Sequence, residues 1–513
     1  MRRAVSAILA GLLAAALFTT GANAREEMQA VYVTYEQFDA VGDGVEDDFD
    51  AICDAHAYAN ANNLPVKADP EATYRIVRTR APAEIRTNTE WGGAHFIIDD
   101  SNVGVAERGN NIFRVSSGQG SVPVTDVATL RKGQEKLDWS LGKAALVSVT
   151  DNTTIRFIRE GANQNDGTAQ TEVFVVDAQG NVDPRTPIVW DYGQISAMRA
   201  YPVDAETLTV SGGHFTTIAN RAPSEYTYYG RGIQVTRSNV VIDGFTHAIE
   251  GELDHGAPYN GFLAVNTCAG VTVKECWFSG HKTYRTIGSA GTGVSMGSYD
   301  ISAGSAANVS FRDCKQLNDM LDPDLWGIMG SNFTKNLVYD GCELSRFDAH
   351  MGTVNATVRN SVLRTISVTG FGTFLVENTK VINNTLIGLR GDYGSFWDGE
   401  FVIRNCVFAP SGSGASLISA SNSGKHDFGY PCMMPQKVTI DGLVIEDGGH
   451  PFFYFGPYIF DYFNPNLGLC NPYPYAKTQE VTVKNVSAES GRCLLKSKYW
   501  YAFMLWGVKV KRS

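Results

Sequence analysis

The chain has no excess of positive charge, no closely spaced cysteine pair and, after its first residues, no long hydrophobic run. Its 513 residues include 43 Lys and Arg against 54 Asp and Glu, a formal net charge of −11. A surface that binds nucleic-acid phosphates needs a basic excess, so this balance argues against nucleic acid as a primary partner. It does not exclude an acidic polysaccharide, because a local basic patch can form on an acidic protein.

Cysteine usage argues against a metal centre. Nine cysteines occur without any CxxC motif, and the odd number leaves at least one unpaired. Cys432 and Cys470, in a Pro- and Tyr-rich part of the chain, are the candidates for a disulfide. Loop acids are clustered but show no EF-hand-like spacing. We therefore predict no cofactor, with Ca²⁺ bound by loop acids as the alternative.

The only long hydrophobic run lies within residues 1–24. Arg2 and Arg3 precede the run AVSAILAGLLAAALF, and ANA follows at residues 22–24, which is the pattern of a cleavable secretory signal peptide. The run is too short and too rich in Ala to span a bilayer convincingly. We expect export to the periplasm or out of the cell, with no membrane attachment after cleavage. A retained N-terminal anchor is the alternative.

Glycine is abundant, at 52 residues, and one strand-like segment recurs through the second half of the chain. It occurs as NVVIDGF at 239, GVTVKEC at 270, NVSFRDC at 308, NLVYDGC at 336, NATVRNS at 355, TFLVENT at 373, EFVIRNC at 400, KVTIDGL at 437 and EVTVKNV at 480. Alternation of apolar residues with period two indicates strands with one buried face. Recurrence of one strand sequence at a variable spacing is typical of stacked solenoid coils with inserted loops.

Sequence pattern and composition divide the chain into several parts. DAICDAHAYANAN has helical spacing and predicts a helix that covers the open end of a solenoid. Longer strands and turn sequences before residue 225 predict an inserted β-rich unit, and the aromatic C-terminal part predicts a cap. We predict a signal peptide at residues 1–24, an N-terminal cap with the first coils at 25–110 and an inserted β-subdomain at 111–225. A coil core with the active-site groove follows at 226–450, and C-terminal coils with an aromatic cap at 451–513.

The motif GDGVEDDFDAI at residues 42–52 resembles the GDGxxDDxxAI signature of the pectate-lyase-like superfamily. Its members include polysaccharide lyases, polygalacturonase-like hydrolases, alginate epimerases and phage tailspikes. The resemblance implies an all-β protein, a right-handed parallel β-helix with an N-terminal capping helix, and a polysaccharide as partner. We interpret the acids of the motif as structural, because they can bind the free N–H groups of the following helix. We expect a monomer or a small oligomer.

The stretch SRFDAH at residues 345–350 resembles the Tyr-Gly-Phe-Asp-Pro-His motif of mannuronan C5-epimerases. Asp348 and His350 match the acid and the imidazole of that motif, whereas Ser345 stands at the tyrosine and Ala349 at the proline. In an extended segment Asp348 and His350 project to the same side. The resemblance therefore implies chemistry on a uronate sugar, while the missing tyrosine argues against epimerisation.

Two reactions fit the charged residues of the neighbouring coils. β-Elimination from a 4-linked uronate needs a neutralised carboxylate, a base for the C5 proton and an acid for the leaving oxygen. His350 is the base candidate, Lys282 and Arg390 are the carboxylate-neutralising candidates, and Asp348 is the candidate to orient His350. Hydrolysis instead needs two carboxyl groups, for which Asp322, Asp324 and Asp348 are candidates.

Other polar and aromatic residues of the same coils are candidates for substrate binding. They are His255, His281, Tyr284, Trp326, Tyr393 and Trp397. Convergence of such residues on one groove is the usual sign of a ligand site. We predict an exported polysaccharide lyase, with a glycoside hydrolase as second choice and a non-catalytic glycan-binding protein as third. In the third reading, Asp348 and His350 belong to a structural turn network.

Overall fold

Short β-strands dominate the structure, and most of them are parallel. The computed structural model describes residues 32–513 except 226, 254–255, 289, 462–471, 474, 498–506 and 513. The signal-peptide prediction and Cys470 lie outside these residues. No helix in the described ranges has the length and apolar character needed to cross a membrane.

One α-helix, α1 (Phe49–Asn62), lies near the start of the described chain and packs against the first coil. Its buried side includes Phe49, Ile52 and His56, so it covers the N-terminal end of the solenoid core. The strands before and around it are β1 (Asp43–Asp47), β2 (Val66–Lys67), β3 (Thr73–Ile76), β4 (Ala83–Ile85), β5 (Thr89–Asp99) and β6 (Phe113–Val115). An inserted group follows, with β7 (Val122–Pro123), β8 (Ala145–Arg156), β9 (Thr168–Val176) and β10 (Ala197–Pro202).

The rest of the chain forms the coils of the solenoid and the loops that leave a coil between two of its strands, which we call excursions. Strands up to the middle of the solenoid are β11 (Leu208–Ile218), β12 (Ile233–Val235), β13 (Val240–Asp243), β14 (Thr246–Glu250), β15 (Asn260–Asn266), β16 (Ala269–Lys274), β17 (Trp277–Phe278), β18 (His281–Lys282), β19 (Tyr284–Ile287), β20 (Gly293–Met296), β21 (Tyr299–Gly304), β22 (Ala307–Arg312), β23 (Lys315–Gln316), β24 (Leu325–Gly327), β25 (Met329–Asn332) and β26 (Lys335–Asp340). The later strands are β27 (Glu343–Arg359), β28 (Val362–Glu377), β29 (Lys380–Val381), β30 (Thr385–Leu389), β31 (Trp397–Phe408), β32 (Ser416–Ser419), β33 (Lys437–Ile445), β34 (Tyr458–Phe460), β35 (Glu480–Ala488), β36 (Leu495–Ser497) and β37 (Lys509–Arg512).

Parallel pairing arranges these strands into three faces of a right-handed parallel β-helix, as the sequence predicts. Face A contains β2, β5, β11, β13, β16, β22, β26, β27, β28, β31, β33, β35 and β37. Face B contains β1, β3, β5, β11, β14, β17, β23, β27, β28, β29, β31, β33 and β35. Face C contains β4, β6, β12, β15, β21, β25, β27, β28, β30, β32, β34 and β36. The longest strands bend around corners and therefore belong to more than one face.

The nine recurring segments lie on face A. Residues at the same position of successive segments pair with each other between neighbouring strands. The second residue of every segment faces the core in one row: Val240, Val271, Val309, Leu337, Ala356, Phe374, Phe401, Val438 and Val481. All nine side chains are at most 2% exposed. Burying one apolar residue per coil in this way contributes about 1.5–3 kcal/mol for each large side chain.

The sixth residue of each segment turns the corner between faces A and B. It has a positive φ in all nine segments, at Gly244, Glu275, Asp313, Gly341, Asn360, Asn378, Asn405, Gly442 and Asn485. Gly adopts this left-handed conformation without strain, and Asn and Asp tolerate it better than other side chains. This explains why Gly, Asn or Asp occupies eight of the nine positions, with Glu275 as the exception.

The strands β7–β10 form a separate antiparallel sheet between β6 and β11. This inserted sheet packs on face A, where Leu146 and Val173 contact Ala269 and Ala307. A buried ion pair between Glu172 and Lys335, at the start of β26, joins the two parts. Removing one partner of such a pair leaves an uncompensated buried charge, so the pair fixes where the sheet sits.

Cys276, Cys314, Cys342 and Cys406 are buried and free, as core residues. Cys432, predicted as half of a disulfide, is also a free, buried thiol. The predicted aromatic C-terminal cap falls partly outside the described residues. Within them, Phe452, Phe453 and Phe455 are 91%, 76% and 72% exposed and do not pack on the core.

Candidate functional site

A cleft of about 330 Å³ lies on the outer side of face C. Its walls follow from coil length, because the two coils of 19 and 18 residues that contain β27 and most of β28 carry no excursion between faces. Longer excursions before and after them stand above the floor. The lining residues are Arg159, Asn163, Tyr228, Asn260, Asn266, Ser295, Met296, Gly297, Tyr299, Ser302, Ala303, Gly304, Trp326, Gly330, Asn332, His350, Met351, Arg390 and Tyr393.

Asp348 lies at the base of this site and is fully buried. Its carboxylate is 3.2 Å from Arg390 Nη1 and 3.5 Å from Arg346 Nη1. Burial opposes ionisation of Asp348, but the positive groups around it outweigh that effect and hold its pKa below the usual value. The alternation of β27 turns Phe347 and Ala349 into the core, as predicted, and turns Asp348 outward beneath the two arginines.

His350 is the imidazole that lines the cleft. Its Nε2 lies 3.7 Å from Asp348 Oδ2 and 3.4 Å from the hydroxyl of Tyr299. Burial disfavours the imidazolium and lowers the pKa of His350 to about 4, so the ring is neutral at pH 7. Burial also raises the pKa of Tyr299 to about 12, so its phenol keeps its proton. A neutral imidazole and a protonated phenol therefore lie side by side.

Arg390 and Arg159 share a second carboxylate, that of Asp392. Arg390 Nη2 lies 2.8 Å from Asp392 Oδ2, and Arg159 Nη2 lies 2.7 Å from the same oxygen. Burial of Asp392 is outweighed by the two guanidinium groups, which lower its pKa. Arg159 belongs to the connection between β8 and β9, so the inserted sheet contributes directly to the site.

The ion-pair network of the site carries one uncompensated positive charge. It contains three arginines and two aspartates, namely Arg159, Arg346, Arg390, Asp348 and Asp392. Buried polar atoms without a partner in the described structure include Arg390 Nε and the side-chain oxygens of Asn163 and Asn332, all from lining residues. Buried polar groups are nearly always hydrogen-bonded, so such atoms are typical of a site that a polar ligand completes.

The predicted residues divide among different surroundings. Trp326 and Tyr393 line the cleft together with His350 and Arg390. The Trp326 ring lies under the Arg346 guanidinium at 4.5 Å. A cation over an aromatic face holds both groups in place.

His281 belongs to a neighbouring buried cluster, which we call the closed cluster and define as His247, Glu252, His281 and Asp300; Tyr284 adjoins it. His281 Nδ1 is 2.9 Å from Glu252 Oε1, and its Nε2 is 3.1 Å from Asp300 Oδ1. Burial lowers the pKa of His281, but the two carboxylates outweigh it and raise this pKa to about 10. The Tyr284 hydroxyl donates to Glu252.

Four further predicted residues lie among the described residues but away from the cleft lining. Lys282 is exposed and its Nζ donates to the carbonyl of Glu252. Asp322 accepts from the backbone N–H of Asp324 in a turn, and neither lines the cleft. Trp397 is fully buried in the core, where its Nε1 donates to the Gly372 carbonyl, so it has no surface for a sugar. His255 lies outside the described residues.

Sequence reasoning missed Arg159, Tyr299 and Arg346. Arg346 was within reach, since it precedes Asp348 by two residues on the same strand and shares its side. Tyr299 begins β21, two strands before β27 on face C, and the variable excursions hide that alignment in the sequence. Arg159 lies 189 positions before Asp348, in the connection between two strands of a different sheet, and no sequence pattern indicated its approach.

In the part of the chain that the structure describes, no group of three His, Cys, Asp or Glu side chains is arranged to bind a metal ion. The residues of the cleft supply nitrogen donors and neutral oxygens. These groups recognise an anion or a hydroxylated ligand, which sets the chemistry that the site can perform.

Comparison with known proteins locates the fold but not a family. No protein-family profile matches the chain, and no curated protein resembles it in sequence. The gp61 tailspike of Pseudomonas phage phi297 is similar over 93% of this chain and 83% of its own, with 13% identity and a TM-score of 0.56. The Gp54 tailspike of Acinetobacter baumannii bacteriophage AP22, solved in complex with a capsular saccharide, is similar over 96% of this chain and 82% of its own, with 12% identity and a TM-score of 0.54. At these identities the likeness shows a shared β-helix fold.

Proposed function

We propose that the protein is an exported enzyme that cleaves a uronate-containing polysaccharide by β-elimination. The observation that carries the proposal is the chemistry of the cleft lining. It holds Arg159 and Arg390, a neutral His350 and a protonated Tyr299, and it holds no carboxylate among its described residues. A site with an excess positive charge and a neutral base suits an acidic sugar.

The roles follow from the geometry. Arg390 and Arg159 neutralise the uronate carboxylate, which makes the C5 proton more acidic. His350 takes that proton, the C–H electron pair forms the C4–C5 double bond, and the C4–O bond breaks. Tyr299 gives its proton to the leaving oxygen. Asp348 holds Arg390 in place and lies beside His350.

Hydrolysis has less support from the same geometry. It needs two carboxyl groups flanking the glycosidic bond, about 5–9.5 Å apart. Asp322 and Asp324 form a turn outside the cleft lining, and Asp348 is buried beneath the arginines. The saccharide named with the AP22 tailspike supports a polysaccharide as the partner of this cleft, since the two proteins share the fold.

The test is a screen of the purified protein against acidic and neutral polysaccharides, with His350→Ala beside the wild type. Ultraviolet absorbance of the unsaturated product and new reducing ends are followed together. We expect both signals with a uronate polymer, and a loss of about 10²–10⁴-fold in rate for His350→Ala. His214→Ala is the matched control, because His214 is exposed on β11 away from the cleft.

Three outcomes would contradict this assignment in different ways. Reducing ends without absorbance indicate hydrolysis. Binding of a uronate polymer with neither signal indicates a non-catalytic glycan-binding protein. Full activity in His350→Ala would show that another group is the base.

A further inference from the structure

The connection between β8 and β9, residues 157–167, is the part of the inserted sheet that reaches the cleft, and we call it the crossing segment. Near its start, Arg159 pairs with Asp392 and the backbone N–H of Glu160 donates to the Asp392 carbonyl at 3.0 Å. Asp392 lies in the excursion that joins β30 on face C to β31 on face A. This end of the crossing segment is therefore fixed at the edge of face C that adjoins face A.

Farther along, the crossing segment meets a different part of the molecule. The Thr292 hydroxyl donates to the Ala162 carbonyl at 3.4 Å. Asn163 lies so close to Gly288 that a methyl group there would come within 2.0 Å of Asn163 Oδ1. Both contacts are made with the hairpin of β19 and β20, which belongs to the excursion between face B and face C.

These two attachments lie on opposite edges of face C, so the crossing segment passes over that face. Phe157 anchors it further, with its ring 5.6 Å from that of Phe333 and 5.1 Å from that of Tyr430. Arg159 and Asn163 both line the cleft, which places the segment above the floor residues Ser302, Gly330 and His350. The cleft volume of about 330 Å³ is at the small end of the range for ligand pockets.

We propose that the cleft takes the end of an acidic polysaccharide chain and not its middle, so that the enzyme releases short products from chain ends. An open groove accepts a long polymer from the side. A floor crossed by a fixed segment requires an end of the chain to pass beneath it. This inference rests on the proposed lyase function and specifies which part of the substrate enters the site.

The test follows product size with the uronate polymer that the screen identifies, using sodium alginate and sodium polygalacturonate as first probes. For the wild type we expect short unsaturated products from the earliest time points, while size-exclusion chromatography shows little change in the length of the remaining polymer. A rapid fall in polymer length with fragments of intermediate size would overturn the inference and leave the lyase function intact. Absence of unsaturated product with every polymer would instead overturn the proposed function.

A variant sharpens the result. Deletion of residues 162–164 removes the contact with the hairpin and keeps Asn165, whose side chain accepts from the backbone N–H groups of Arg159 and Gly167. We expect this variant to produce fragments of intermediate size. Deletion of residues 411–413, in a loop between β31 and β32, is the control and should leave the product profile unchanged. An unaltered profile in the first variant would show that the segment does not limit access.

Discussion

Two buried polar clusters lie next to each other on this β-helix, and they differ in whether they are complete. In the closed cluster, His281 bonds to a carboxylate through each ring nitrogen, and Asp300 also accepts from His247 and from the backbone N–H of Ser279. The cleft cluster comprises Arg159, Arg346, Arg390, Asp348 and Asp392 with the adjoining Tyr299 and His350. In it, three arginines share two aspartates, and buried donor atoms are left without acceptors. Tyr299 and Asp300 are consecutive residues, so one strand supplies both clusters.

The contrast distinguishes a buried polar cluster that stabilises the fold from one that is suited to bind a ligand. Buried charges are stable when they are paired and hydrogen-bonded, and each unmade bond has a cost. The closed cluster avoids that cost with its own side chains. The cleft cluster retains part of it, which is consistent with a site that an anionic ligand completes. At pH 7 His281 is therefore protonated and His350 is neutral, although both are buried, because the pKa of the first is raised to about 10 and that of the second is lowered to about 4.

The largest expected effect comes from removing the central carboxylate of either cluster. Asp300→Asn and Asp348→Asn each remove one counter-charge from buried cations, and loss of one partner of a buried pair costs about 3–5 kcal/mol. Urea unfolding measures the change in free energy. We expect oligouronate to stabilise Asp348→Asn by more than it stabilises the wild type, because an anion replaces the lost carboxylate, and to stabilise Asp300→Asn no more than the wild type, because the cleft of that variant is unchanged. Equal stabilisation of both variants would remove the distinction between the clusters.

A smaller effect is expected from ligand binding to the intact protein. An oligouronate present at 100 times its Kd should raise the free energy of unfolding by about 2.7 kcal/mol, because it binds only the folded state. Differential scanning fluorimetry checks this, with a neutral oligosaccharide of equal length as control. Arg390→Gln should abolish the stabilisation and Lys282→Gln should not, since Lys282 lies outside the cleft lining. Stabilisation that persists in Arg390→Gln would place the anion elsewhere.

The smallest effect between neighbouring measurements is the pH dependence, whose slope is at most about 1.4 kcal/mol per pH unit. The raised pKa of His281 gives stability that is present below pH 6.5 and is lost as the pH rises toward about 10. The lowered pKa of His350 means that the unfolded state binds its proton first, so stability falls as the pH drops from 6.5 to about 4.

Unfolding curves of the wild type, His281→Gln and His350→Gln across this pH range separate the two contributions. Relative to His281→Gln, the wild type should lose its advantage as the pH rises. Relative to His350→Gln, it should lose stability as the pH falls. Slopes of the same sign in the two comparisons would show that the histidines do not differ in charge.

The sequence by itself determined the solenoid. The recurring segments predict both the coils and their register, because each coil buries its apolar residue against the same position of the next. Asp, Asn and Gly recur at the corner because few other residues tolerate a positive φ. Alternation along β27 likewise placed Asp348 and His350 on the same side. These are local or nearest-coil effects, which leave a periodic record in the chain.

Only the tertiary structure decided which polar residues share a site. Trp397 was predicted to bind substrate but is buried in the core, and Asp322 and Asp324 lie in a turn outside the cleft lining. Arg159 reaches Asp392 from the connection between two strands of another sheet, although 233 positions separate the two residues. The excursions differ in length from coil to coil. Two residues at the same distance after a recurring segment therefore do not lie above one another in the structure. Side-chain contacts between such excursions depend on how they fold back, and this leaves no periodic pattern in the sequence.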